Sequence, residues 1–181
     1  MEATVQTQEL STTNTPAHWP VALLNGEGKK PDASGHAVTL RATGTDTGDA
    51  FSIVEVLVPP GNTPPASHRH SFAEAFHIIE DELTVKLSDH VFLVPAGSFI
   101  FVPGGTVHGW RNDEDLPARF LIVSSPAVID RYYIDLDDLY SRLGKTPDTE
   151  SDEIRGLWKK YGMEPVGDPL VDILQSIEEK E

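Results

Sequence analysis

Between residues 35 and 125 the chain falls into short runs of alternating apolar and polar residues, and each run ends at Gly, Pro, Asn or Asp. This pattern limits the fold more than any other feature. A period of two places alternate side chains on opposite faces, which is the signature of a half-buried strand. The runs predict strands at Ala37–Ala42, Phe51–Val58, Glu74–Ile79, Leu83–Leu87, His90–Val94, Ser98–Val102, Val107–Arg111 and Arg119–Ser124. Ser88-Asp89 and Pro95-Ala96-Gly97 have the composition of hairpin turns. Many short strands at regular spacing predict an all-β core, either a sandwich or a barrel.

The pattern changes on both sides of this zone. Residues 1 to about 20 are rich in Thr, Gln, Ser and Pro and read as an arm, with Trp19 and Val21 to Leu24 as candidates for docking on the core. After Val128 the period lengthens. Ile129, Tyr132, Tyr133, Leu136, Leu139, Tyr140 and Leu143 fall on one face of a helix that Gly144 can end. Ile154, Leu157, Trp158 and Tyr161 give the stripe of a second helix over 150–161, and a third is expected from Pro169 to Glu179. These helices lack a core of their own, so they should cover an open face of the β domain or cross to a partner subunit. The expected division is an arm at 1–34, a β domain at 35–126 and a helical extension at 127–181.

Chemistry concentrates in two segments. The first runs Gly61-Asn-Thr-Pro-Pro-Ala-Ser-His68-Arg-His70-Ser-Phe-Ala-Glu74. On a strand His68 and His70 share a face, and Glu74 has the same parity if that strand runs on unbroken. The second runs Gly97-Ser-Phe-Ile-Phe-Val-Pro103-Gly-Gly105-Thr-Val-His108-Gly-Trp-Arg-Asn112. Three imidazoles and one carboxylate are a suitable ligand set for a divalent first-row transition metal, provided the two segments lie side by side. His18, His36, His77 and His90 are expected to be structural or solvent-facing. Phe76 shares the parity of Glu74, and Trp110 that of His108, so these two are the candidate walls of a substrate cavity. Phe99, Phe101 and Phe120 are expected in the core.

The paired segments resemble the two motifs of the cupin superfamily. Gly97, Pro103, Gly105, His108 and Asn112 fall at the second motif's intervals. His68, His70 and Glu74 keep the first motif's spacing, while Gly61 lies one residue too far upstream and Asp81 stands where a glycine is expected. Aspartate tolerates left-handed backbone well enough to hold a turn at Glu80-Asp81-Glu82. The resemblance implies a cupin-type double-stranded β-helix, or jelly-roll barrel, followed by the helical extension. It also implies one metal held by His68, His70, Glu74 and His108. A narrower resemblance lies in the tail Trp158-Lys-Lys-Tyr-Gly-Met-Glu-Pro-Val-Gly-Asp-Pro-Leu170, which looks like that of bacterial single-domain cupins described as quercetin 2,3-dioxygenase-like.

From these features the expected function is a metal-dependent dioxygenase acting on a hydroxylated aromatic or enolic small molecule. Iron, nickel, cobalt or manganese would serve, and Glu74 would act both as ligand and as proton acceptor. The alternatives are a non-redox isomerase, lyase or cyclase, for which zinc would suffice, and a small-molecule binder without catalysis. The net charge of −15 argues against nucleic-acid and anionic-membrane partners. With no cysteine there is no disulfide framework and no thiolate ligand. A cytoplasmic location is the default expectation, and the resemblance implies a homodimer.

Overall fold

The computed structural model describes residues 20–33, 36–61, 67–144 and 151–166. Trp19 and His18 of the expected arm, and the expected helix from Pro169 to Glu179, lie outside the described residues.

Two antiparallel sheets face each other. The strands of the first are β1 (Asp32–Ala33), β2 (His36–Ala42), β3 (Ser52–Val58), β5 (Ala73–Glu80), β8 (Phe99–Val102) and β10 (Ala118–Ser125), in the spatial order β1-β2-β3-β10-β5-β8. The second holds β4 (His68–Arg69), β6 (Glu82–Leu87), β7 (His90–Pro95), β9 (His108–Arg111) and β11 (Glu164–Pro165), in the order β11-β4-β9-β6-β7. Neighbours in space are often distant in sequence, as a jelly roll requires. The expected barrel and its helical extension are both present.

Alternation sets which side chains face inward. On β3, Ser52, Val54, Val56 and Val58 are buried and the residues between them are not. Across the gap Leu83 and Val85 of β6 and Trp110 of β9 point back at them, and Phe76, Ile78 and Phe120 fill the middle. The turns use the residues the sequence offered. Ser88 adopts φ 53° in the β6–β7 hairpin, and Asp81 φ 59° where the chain crosses from β5 to β6 in the facing sheet, so both turns close without glycine. The turn at Pro95-Ala96-Gly97 also crosses between sheets, from β7 to β8, and is not the expected hairpin.

Expectation and structure part at several places. Val21 and Leu24 are 50% and 71% exposed, so these two side chains do not dock on the core as expected. Phe99 and Phe101 are also exposed rather than core, because β8 is an edge strand whose inward positions belong to Ile100 and Val102. A short helix, α1 (Gly44–Thr47), was not expected. Thr43 and Asp46 start it, with the Thr43 amide donating to Asp46 Oδ2 at 2.8 Å.

The chain then enters α2 (Ile129–Leu143) and α3 (Asp152–Lys160). Val128 offers α2 no capping side chain, but Ser124 Oγ accepts from the amides of Val128 and Ile129 at 3.3 Å each. Ile129, Tyr133, Leu136, Leu139 and Tyr140 turn inward, and Gly144 ends the helix at φ 62°. α2 packs on the barrel along β1–β3, and α3 packs on α2. The barrel also recruits from beyond 35–126: β1 pairs with β2, and β11 pairs with β4.

Candidate metal centre

The centre is assembled where the two sheets meet. β4 and β9 are paired, with His68 directly opposite His108. Their rings are 4.5 Å apart between centroids. His70 follows just past the end of β4, its ring 4.8 Å from that of His108. The chain then turns through Ser71 and Phe72 and enters β5 in the other sheet. Glu74 therefore reaches the centre from the facing sheet. The unbroken strand that parity assumed for Glu74 does not exist. The carboxylate converges because the corner at Ser71-Phe72 folds it back over the imidazoles.

Backbone carbonyls orient two of the rings. His70 Nδ1–H donates to the Phe72 carbonyl at 3.0 Å, and His108 Nδ1–H donates to the Thr106 carbonyl at 2.9 Å. Each bond leaves Nε2 directed at a common point, the usual arrangement behind a metal-bound imidazole. The ligand nitrogens of His68, His70 and His108 all lie within 4.8 Å of one another. Glu74 Oε2 sits 3.0 Å from His108 Nε2 and 3.3 Å from His70 Nε2.

These residues fit a cation. His70 Nε2 is buried, and its 3.3 Å approach to Glu74 Oε2 lacks hydrogen-bond geometry. A buried polar atom left unpaired costs about 1–3 kcal/mol, and a metal ion would satisfy it. Burial pushes the Glu74 carboxyl up, but the imidazoles of His108 and His70 outweigh burial and hold it at about 2. Burial pushes the His108 imidazole down, yet the Glu74 carboxylate raises it above its ordinary value. Glu74 is thus an anion near neutral pH, available as a ligand.

The second segment clamps the first. The Gly105 amide donates to the His70 carbonyl at 2.7 Å, and Gly105 itself has φ 87°. A Cβ on Gly104 would stand 2.1 Å from the Ser71 carbonyl oxygen. Only glycine allows this approach. Asn112 closes the far end of β9, donating to the carbonyls of Val58 at 3.0 Å and Leu116 at 2.7 Å.

The remaining described histidines stay outside the cluster. His77 and His90 are exposed, as expected. His36 packs edge-on to Trp110 with centroids 5.1 Å apart, and burial lowers its imidazole to about 4. Of the two candidate cavity walls, the Phe76 ring lies 6.1 Å from that of His108. Trp110 contacts Phe120 at 5.1 Å and is linked to the cluster through Phe120 and Phe76, two aromatic neighbours further out. Both are buried. Two further aromatic rings lie near the ligands, that of Phe72 stacked on His70 at 3.6 Å and one from the helical extension. Trp158 of α3 has its ring 5.4 Å from that of His68. The sequence placed Trp158 on a helical stripe, and no periodicity within one helix reports which strand that stripe meets.

Residues 54–124 match the family described as Cupin domain. The alginate biosynthesis protein AlgA of Pseudomonas fluorescens is 25% identical over 127 residues, which cover 67% of this chain and 26% of that protein. The quercetin 2,3-dioxygenase of Bacillus subtilis is 28% identical over 92 residues, covering 51% of this chain and 27% of that one. The chain thus spans about a quarter of the length of these curated relatives. Among solved structures, an RmlC-like cupin from Shewanella frigidimarina superposes with a TM-score of 0.52 at 18% identity, over 60% of this chain and 93% of that one. At that identity the likeness concerns the fold alone.

Proposed function

We propose that this chain is a cupin whose barrel binds one divalent transition metal and uses it as a dioxygenase of a hydroxylated aromatic or enolic small molecule. The observation that carries this reading is the convergence of His68, His70 and His108 on one point beside an ionised Glu74, with His70 Nε2 unpaired and buried. His68, His70, Glu74 and His108 would hold the ion. When bound, the ion would favour deprotonation of a coordinating hydroxyl, and iron, nickel, cobalt or manganese would also permit reaction of the resulting enolate with dioxygen.

The chain's own residues supply the rest. Glu74 accepts the proton of the substrate hydroxyl at Oε2. Phe76 and the packed Trp110–Phe120 pair close the inner side of the centre and would exclude water there. The similarity to a quercetin 2,3-dioxygenase over 92 residues supports the choice of substrate class. A cytoplasmic setting, a homodimeric assembly and a small-molecule substrate belong to the same proposal. Among the described residues no helix is long and apolar enough to cross a membrane.

An oxygen electrode tests the reading. Metal-loaded protein given flavonols and other enolic phenols should consume dioxygen in step with substrate loss, and Glu74→Gln should abolish most of that consumption while keeping most of the metal. Turnover without oxygen uptake would replace the oxygenase with a non-redox enzyme, for which zinc would serve. Retention of a ligand with no turnover would leave a binding protein.

A further inference from the structure

We propose that Trp158, supplied by the C-terminal extension and not by the barrel, is the specificity-determining wall at the entrance of the metal centre, where its aromatic face favours flat aromatic ligands over small ones. The inference rests on the metal-centre reading above.

Access is the first argument. His70 and His108 are buried, whereas His68 is only partly so. The inner side of the centre is closed by Phe76, Phe120 and Trp110, which pack edge-to-face through Phe120. Among the described residues, the His68 side is therefore the less closed approach to the centre. Trp158 stands there, its ring 5.4 Å from the His68 ring and tilted 55° to it.

Anchorage is the second. The Trp158 ring is held from behind, with Nε1–H donating to the Tyr132 hydroxyl at 3.2 Å. Tyr132 is itself fixed between Tyr133 and Tyr161, at 5.3 Å and 6.0 Å between centroids. The backbone makes a short circuit to the ligand strand. The Met163 amide donates to the Trp158 carbonyl at 2.9 Å, Pro165 lies opposite His68 in the sheet, and the Val166 amide donates to the Ser67 carbonyl at 2.7 Å. The extension thus fixes Trp158 relative to His68 through strand pairing, a more rigid mounting than a surface loop would give. A side chain filling a core needs no such tie to a ligand strand.

Cobalt(II)-loaded full-length protein offers the test, with 4-nitrocatechol as a flat aromatic probe and azide as a small one. Titration with cobalt should quench tryptophan emission in the wild type, and Trp158→Phe should lose most of that quench at unchanged cobalt content. Trp158→Ala should bind 4-nitrocatechol about tenfold more weakly, the factor of a single aromatic contact, with azide affinity within about twofold of wild type. Trp158→Phe should retain most of the 4-nitrocatechol affinity. An unchanged quench in Trp158→Phe, an unchanged 4-nitrocatechol affinity in Trp158→Ala, or parallel loss of both probes would overturn the inference. Failure of the wild type to retain cobalt would instead overturn the metal-centre reading itself.

Discussion

His70 illustrates how far the centre depends on atoms other than the ligands. Its Nδ1 is committed to the Phe72 carbonyl, its ring lies flat against the Phe72 ring at 3.6 Å, and its Nε2 faces Glu74 Oε2 at 3.3 Å without hydrogen-bond geometry. Parity in the sequence was enough to pair His68 with His70. It could not foresee that Glu74 arrives from the other sheet, because a chain corner leaves no periodic trace. The Glu74–His108 pair makes pH a direct probe. In metal-free protein the Glu74 carboxyl is held at about 2, below its ordinary 4.5, so its contribution to stability is complete above 4.5 and is lost as pH falls toward 2. The His108 imidazole is raised above its ordinary 6.5, so its contribution is complete below 6.5 and fades as pH rises through the raised value. A cation must displace the proton from Nε2. Metal affinity should therefore weaken as pH falls, with the loss setting in above 6.5, and each ion bound should release protons measurable in a weakly buffered titration. Affinity independent of pH would contradict the assigned pairing.

Two elements, the turn at Pro103-Gly104-Gly105 and the outer face of the first sheet, carry predictions of their own. The turn glycines were readable as such, and Gly105 is indeed left-handed. Gly104 has a different reason to be glycine, the close approach to Ser71, and that contact joins segments more than thirty residues apart. Gly104→Ala should cost about 1–3 kcal/mol in chemical denaturation and should also weaken metal binding, because the displaced backbone carries His70. On the outer face Glu55 accepts from Arg41 at 2.8 Å and from Arg119 at 2.7 Å, and Arg119 reaches on to Glu80 at 2.9 Å, tying β2, β3, β10 and β5 together. Burial pushes the Glu55 carboxyl up, but the two guanidinium groups bring it below its ordinary 4.5. Its contribution is present above 4.5 and lost as pH falls below it. Arg119→Ala should destabilise the protein by about 1–2 kcal/mol at neutral pH and by less in acid, when melting curves are compared.

Seen whole, the molecule is a barrel whose C-terminal extension returns to it. The strands, their turns and the inward valines were legible because alternation and turn chemistry are local. The exposure of Phe99 and Phe101 was not, since an edge strand is defined by neighbours it lacks. The role of the extension was not legible either. A two-residue strand such as β11 has no pattern, and its pairing with β4 is a tertiary fact. Leu157 is buried where α3 meets α2, so Leu157→Ala should lower stability by about 2–4 kcal/mol and loosen the extension, detected as faster amide exchange in α3. The apolar stripes of both helices are spent within their own chain, so the proposed homodimer must use another surface. Light scattering at micromolar concentration should give twice the chain mass of 19.8 kDa. The central claim is that four side chains from two facing sheets hold a single ion. Elemental analysis of purified wild type beside His108→Ala tests it most directly. The account predicts about one divalent transition metal per wild-type chain and at least a tenfold loss in the variant, with the barrel still folded by circular dichroism. Equal metal content in the two proteins would contradict it.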